Sequence, residues 1–228
     1  MNAARENARR AREIVSTELW ECLNATYSRM PFSVRQEKVH DLFAWVRERS
    51  ALAVGVVNSA ASRDDAYQFM MLGRSLERAD MTARLLATRS LTEASGASWT
   101  TILRSCGAYE SYLRTYHGMP SAANAAEFLL LDRLFPRSIQ YSVSTALSCL
   151  YDIQPRHERG GRVGVTDQAQ RLLGQISSDL EYRPIHDTLA DLPRYMDGVQ
   201  DAVSRASEAI RQRYFPSITA PSWVGDNS

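Results

Sequence analysis

The sequence predicts an all-α fold: an antiparallel bundle of about seven to eight helices with no sheet. Two observations carry this. Apolar residues recur three and four apart over long stretches instead of alternating, which is the period of a helix with one buried stripe. The stretches between them are short and rich in Pro, Gly, Ser and Asp, the usual punctuation of helix ends, and long helices joined by connections of about 2–10 residues form antiparallel neighbours. No segment reads convincingly as a strand. Residues 1–216 are expected to form a single helical domain and residues 217–228 a loose tail, with Trp223 as its one anchor.

The elements follow in order. Residues 3–29 read as one long helix with a narrow stripe of Ala4, Ala8, Ala11, Val15, Leu19 and Cys22, ended before Pro31. A polar connection over 32–37 leads to a second helix, from about Val39 to Ser59, with Leu42, Trp45, Val46, Leu52, Val56 and Val57 on its apolar side. Ser62-Arg63-Asp64-Asp65 is a start signal for the third helix, to about Thr88: a capping side chain, then acids in the first turn. Residues 90–98 form a loop, and Trp99 to Tyr116 reads as a fourth helix. Tyr109, Tyr112 and Tyr116 share one side of it, either as a pocket wall or as packed rings with their hydroxyls at the rim. Gly118-Met119-Pro120-Ser121 breaks the chain before a short fifth helix, 122–131. Pro136 is placed in the first turn of a sixth, to about 151. The basic, glycine-rich stretch 154–164 lacks the preceding strand and the spacing of a phosphate-binding loop and is read as solvated. Thr166-Asp167 caps a seventh helix to about Tyr182, and a last segment opens at Pro184, breaks near Pro193 and runs on to Phe215.

The third helix is the most function-like part of the chain. Phe69, Leu72, Leu76, Ala79, Ala83 and Leu86 make an ordinary core stripe. Met70, Met71, Met81 and Leu85 lie on the other side, mixed with Arg74, Glu77 and Arg78. A helix apolar on two sides is covered on two sides, so these charges are expected partly out of water and paired, Arg74 with Glu77 and Asp80 with Arg84. Gly73, inside the helix, suggests close approach of another backbone. Three readings stay open: a structural network of buried pairs, a solvated face, or a ligand or partner site built on Arg74, Glu77, Arg78, Asp80 and Arg84.

Composition excludes several classes. The 27 basic residues nearly cancel the 26 acidic ones, so the basic surplus of a general nucleic-acid binder is missing. No run of about 18 apolar residues is present, so no membrane span is expected. Cys22, Cys106 and Cys149 are odd in number and far apart; they form neither a metal spacing nor a disulfide framework, which points to the cytoplasm. His40, His117, His157 and His186 are scattered, and Glu18 and Glu21 lack the histidine partner of a di-iron motif. No metal, cofactor or nucleophile set is expected, and Cys106 reads as a small buried thiol.

The stretch Gly73-Arg74-Ser75-Leu76-Glu77-Arg78-Ala79-Asp80-Met81-Thr82-Ala83-Arg84 resembles the signature of the bacterial alpha-E domain family, a family of unknown function. Ala4-Arg5-Glu6-Asn7-Ala8-Arg9, Ser16-Thr17-Glu18-Leu19-Trp20-Glu21, Leu103-Arg104-Ser105-Cys106 and Phe135-Pro136-Arg137-Ser138 add to the likeness. The resemblance implies an all-helical domain. It also implies that the usual N-terminal segment, with a first Gly-Arg-x-x-Glu-Arg-Ala-Glu copy, is lacking here. It adds Arg104, Glu110 and Arg137 to the candidate binding residues. Family members look like partners of circularly permuted ATP-grasp peptide ligases and transglutaminase-like proteins. The implied function is therefore a non-catalytic binding or scaffold module beside such a partner, with a homo-oligomer also admitted. The alternative is an enzyme or small-molecule binder holding a carboxylate or phosphate on the arginines of residues 64–88.

Overall fold

The computed structural model describes residues 1–31, 38–88, 96–153 and 167–216, with side chains 96–98 excepted. Eleven helices and no strand lie among the described residues. The expected connections at 32–37 and 154–164, residues 90–95 of the loop expected over 90–98, and the tail at 217–228 fall outside them; residues 96–98 of that loop are helical instead, the start of a helix that was expected only from Trp99. The described residues divide into two compact units, Met1–Gln68 and Phe69–Ser228.

The first unit holds α1 (Asn2–Arg10), α2 (Thr17–Arg29) and α3 (Val39–Ala60). The long helix expected over 3–29 is two helices. Ser16 takes an extended backbone and its hydroxyl accepts from the Leu19 N–H at 3.2 Å, so the chain restarts there with a proper N-cap. Beta-branched Ile14 and Val15, poor helix formers, precede it. Ala8, Leu19, Cys22 and Thr26 are the buried residues of this pair. Arg49 of α3 ties to α2 by donating to the Thr26 hydroxyl at 2.9 Å and to the Cys22 carbonyl at 3.3 Å. Arg5 donates to Asn24 at 2.8 Å and lies over the Tyr27 ring.

The second unit is built from α4 (Asp65–Ala87), whose last five turns belong to it, α5 (Gly96–Ser105), α6 (Tyr109–Tyr116), α7 (Ala122–Leu131), α8 (Ile139–Ile153), α9 (Gln168–Tyr182), α10 (Ile185–Ala190) and α11 (Leu192–Tyr214). α9 packs on both α8 and α11, and α7 touches α5, α6, α8, α9 and α10. One contiguous core runs through it, from Leu72, Leu76 and Leu86 of α4 to Leu150, Leu173, Met196 and Val203. Each buried leucine here contributes roughly 1.5–3 kcal/mol.

Two further breaks raise the helix number above the expected seven to eight. The expected helix 99–116 stops at Gly107, which takes φ +64°. The Ala108 N–H reaches back to the Leu103 carbonyl and the Gly107 N–H to Arg104, a glycine-dependent helix terminus. Near the C-terminus the interruption falls at Asp191, whose carboxylate caps α11 through the Arg194 N–H. Pro193 sits in the first turn of α11 instead of breaking it. Pro136, conversely, lies in the turn before α8 and not in its first helical turn. Tyr112 is fully buried, stacked on Tyr116 with centroids 4.8 Å apart, and its hydroxyl has no hydrogen-bond partner among the described residues, so this ring does not hold its oxygen at the rim.

Candidate functional site

The candidate residues of α4 meet the turn that leads into α8. That turn is locally built. The Asp132 carboxylate accepts from the Leu134 and Phe135 N–H groups at 2.9 and 2.6 Å. The Ser138 hydroxyl donates to the Asp132 carbonyl and accepts from the Tyr141 N–H at 3.0 Å, capping α8. Two carbonyls of the turn then face α4. Thr82, buried, donates to the Arg137 carbonyl at 2.9 Å, and Arg78 donates to the Pro136 carbonyl at 3.4 Å. The turn is thus held by α4, and Arg137 is carried to the same corner as Arg74 and Arg78.

The electrostatics of this corner are unfavourable to the charge of Arg78. Arg78 is half-buried, and its guanidinium is pulled below the usual arginine range by loss of water first, then by the positive charges of Arg74 and Arg137. Tyr141 and Glu77 oppose this more weakly. Among the described residues none of these three arginines has a carboxylate within 4 Å in an ion pair.

This corrects the expectation of buried pairs. Arg74 and Glu77 do not form an ion pair. Asp80 and Arg84 do, at 2.7 Å, but on the surface: the Arg84 side chain is 62% exposed. Such a pair contributes little. The second side is only partly covered: Met71 and Leu85 pack against the core, whereas Met81 is 59% exposed. Gly73 is exposed, and a Cβ placed on it would meet nothing within 4 Å, so no backbone among the described residues approaches it. The core stripe, by contrast, is as expected, with Leu72, Leu76, Ala79, Ala83 and Leu86 buried.

Of the eight candidates, the structure brings together Arg74, Arg78 and Arg137, with Glu77 alongside on α4. Asp80 and Arg84 pair with each other one turn further on. Arg104 and Glu110 are exposed; Arg104 lies over the Tyr109 ring at 4.9 Å, and no described hydrogen bond or ion pair links either to the corner. The Cys106 and Cys149 thiols are buried and pushed up chiefly by that burial. No three described His, Cys, Asp or Glu side chains gather as a metal-binding group.

Two groups escaped the sequence reading. The buried ion pair of this unit is Asp167 with Arg213, at 2.7 Å, where Asp167 also caps α9 through the Gln170 N–H at 2.7 Å. The other is the polar row Gln140, Ser144 and Ser148 on α8, whose four-residue spacing was visible but hidden behind the apolar stripe of the same helix.

These features define an all-α module with a cationic corner between one helix and the turn before another. Residues 1–215 match the model of the Alpha-E family, described as a predicted alpha-helical domain with a conserved ER motif, and the chain belongs to that family. Glu77-Arg78 is an ER dipeptide, and it stands at this corner. No curated protein and no solved structure matches the chain. No described helix is long and apolar enough to cross a membrane.

Proposed function

We propose that this chain is a non-catalytic binding and scaffold module working beside an ATP-grasp peptide ligase or a transglutaminase-like partner, and that the corner of Arg74, Arg78 and Arg137 holds an anionic group brought by that partner or its substrate. One observation carries the reading. The charges of Arg74 and Arg137 act on the half-buried Arg78, and among the described residues no carboxylate forms an ion pair with any of the three, so the folded chain leaves a like-charge cost that an incoming carboxylate or phosphate would offset. A guanidinium holds its proton throughout the physiological range, which suits binding and orientation and not proton transfer. The buried, raised thiols of Cys106 and Cys149 favour the same side, because a thiol kept from its thiolate is a poor nucleophile. The partner class rests on the resemblance of the motif stretches. A bacterial cytoplasmic setting goes with it, supported by three free cysteines.

The test uses the whole chain with an ATP-grasp ligase and a transglutaminase-like protein from the same genome. Complex formation is measured by sedimentation velocity at low and raised salt, and ATP turnover is followed with and without the chain. A complex that weakens at least tenfold in the Arg74→Gln/Arg137→Gln variant and with salt is the expected result. The absence of any complex, or one indifferent to these charges, refutes the reading.

A further inference from the structure

Two clefts lie side by side along α9, one of about 870 Å³ toward α8 and one of about 530 Å³ toward α11. Both volumes fall in the range of small-ligand sites. They share Gln175, Asp179, Arg183 and Asp187, so they form one trough within the second unit. Gln140 near the start of α8 reaches Ser177 near the end of α9, so the two helices run antiparallel. Tyr151, near the end of α8, therefore stands by the first turn of α9, and Tyr182 closes the last. Both tyrosines line the larger cleft, and both are exposed, by 47% and 83%. At about 1.5 Å per residue, the floor from Arg171 to Tyr182 is about 16 Å long.

The ridge between the clefts is held in place by its own side chains. Both oxygens of Asp179 accept from the Arg183 Nε, at 3.1 and 3.0 Å, and the Arg183 guanidinium lies over the Tyr195 ring at 5.3 Å. The Tyr195 hydroxyl is pushed up by burial first and then by its hydrogen bond to Asp179. On either side of this ridge the floor is bare. Gly174 lines the larger cleft and Gly198 the smaller, and a Cβ placed on either would meet nothing within 4 Å. A glycine inside a helix costs about 1 kcal/mol relative to alanine, and no neighbour among the described residues requires one at these positions. Three arginines and three aspartates line the two clefts together, so the trough carries no net charge.

We propose that this trough binds a neutral oligosaccharide, with sugar rings against Tyr151 and Tyr182, one laid over Gly174, and hydroxyls on Gln175, Asp179 and Arg183. This goes beyond the anion reading of the arginine corner and does not draw on it. The chemistry of the walls selects the class. A hydroxyl both donates and accepts, so neighbouring sugar hydroxyls donate to a carboxylate and accept from a guanidinium or a carboxamide. The C–H face of a sugar ring covers an exposed tyrosine while the phenol oxygen stays wet. Balanced charge gives no advantage to a phosphate chain or a polyamine. A peptide is held by a sheet edge or an apolar groove, and these walls are polar side chains on helices whose backbone groups already bond one another. A compact apolar ligand needs a mostly apolar cavity, which charged and amide groups here preclude.

Isothermal titration of the full chain tests this with maltotetraose, cellotetraose and chitotetraose, each beside its monosaccharide, and with tetraglycine as the peptide control. At least one tetrasaccharide is expected to bind, at least tenfold more tightly than its monosaccharide. Tyr182→Ala, at an exposed position, is expected to weaken that binding at least fivefold with the melting temperature unchanged. Gly174→Leu is expected to abolish it while the melting temperature holds or rises, because the new side chain fills only the floor. No binding of any tetrasaccharide, binding no tighter than the monosaccharide, or indifference to either variant overturns the inference. Tetraglycine bound as tightly as the sugars overturns it in favour of main-chain recognition. None of these outcomes bears on the arginine corner, whose own test reads a partner complex.

Discussion

Arg78 and Asp167 are both charges withdrawn from water, and the structure predicts opposite consequences for removing them. Arg78→Met keeps an unbranched stem of similar bulk and deletes the guanidinium. What is lost is one long hydrogen bond, 3.4 Å to the Pro136 carbonyl, contributing no more than about 1 kcal/mol at that length. What is gained is relief from partial desolvation and from the charges of Arg74 and Arg137. Because Arg78 stays half in solvent, screening reduces each repulsion to a few tenths of a kcal/mol. The two sides nearly cancel, and stability should move by less than about 1 kcal/mol. Asp167 differs: its side chain is 5% exposed, it caps α9, and it pairs with Arg213. Asp167→Ala removes a cap of about 0.5–2 kcal/mol and takes one carboxylate from Arg213, whose guanidinium also lies over the Tyr214 ring. Losing a buried partner costs about 3–5 kcal/mol at full burial, and less here because Arg213 is 31% exposed. A total near 3 kcal/mol is expected. Asp167→Asn keeps the cap and should lose about 1 kcal/mol less than Asp167→Ala. Urea unfolding followed by circular dichroism measures all three, provided the m value is unchanged. A loss of 3 kcal/mol or more for Arg78→Met would show a paired, buried charge, and would refute the account of an unsatisfied arginine corner.

Gly73→Ala should stabilise the protein by roughly 0.5–1 kcal/mol, since an added Cβ meets nothing and α4 gains a better helix former; a destabilised variant would reveal a neighbour against Gly73. The Glu208 carboxyl is held at about 2 by hydrogen bonds from Arg211 and Gln212. Its folded pKa lies below the unfolded one, so its contribution is complete above about pH 4.5 and disappears as pH falls through about 2. Carboxyl NMR titration should find that low value and its return toward 4.5 in Arg211→Gln; an ordinary value in the parent chain would contradict the pairing. Tyr116 should ionise only near pH 12, chiefly because it is buried, which ultraviolet titration reads directly. Native Cys106 and Cys149 should react with a thiol reagent orders of magnitude more slowly than in denaturant; fast labelling in the native state would mean that these thiols are accessible.

Much of the architecture was legible because local physics decides it. The α4 stripe Leu72, Leu76, Ala79, Ala83 and Leu86 has a helical period, and it is buried as that period requires. The caps at Asp64 and Asp167 were legible for the same reason, since each side chain meets an N–H three residues away, whereas in the sequence the cap at Ser121 reads only as part of a chain break. The breaks at Ser16 and Gly107 carried local signals as well, a capping serine and a glycine free to take positive φ, but the apolar stripes running through both positions masked them.

The amino-acid order by itself therefore determined the helical class, most helix ends and the family to which the chain belongs. It could not say how the charges of α4 are arranged, because pairing depends on what packs across from a side chain. Arg74 and Glu77 have an ideal spacing and do not pair, while Asp167 and Arg213 are 46 residues apart and do. The arginine corner is likewise a product of tertiary structure. Arg78 and Arg137 are 59 positions apart in the chain, and the turn before α8 brings the charge of Arg137 to bear on Arg78 by offering its carbonyls to Arg78 and Thr82. Local order sets the backbone, but charges respond to distance in space.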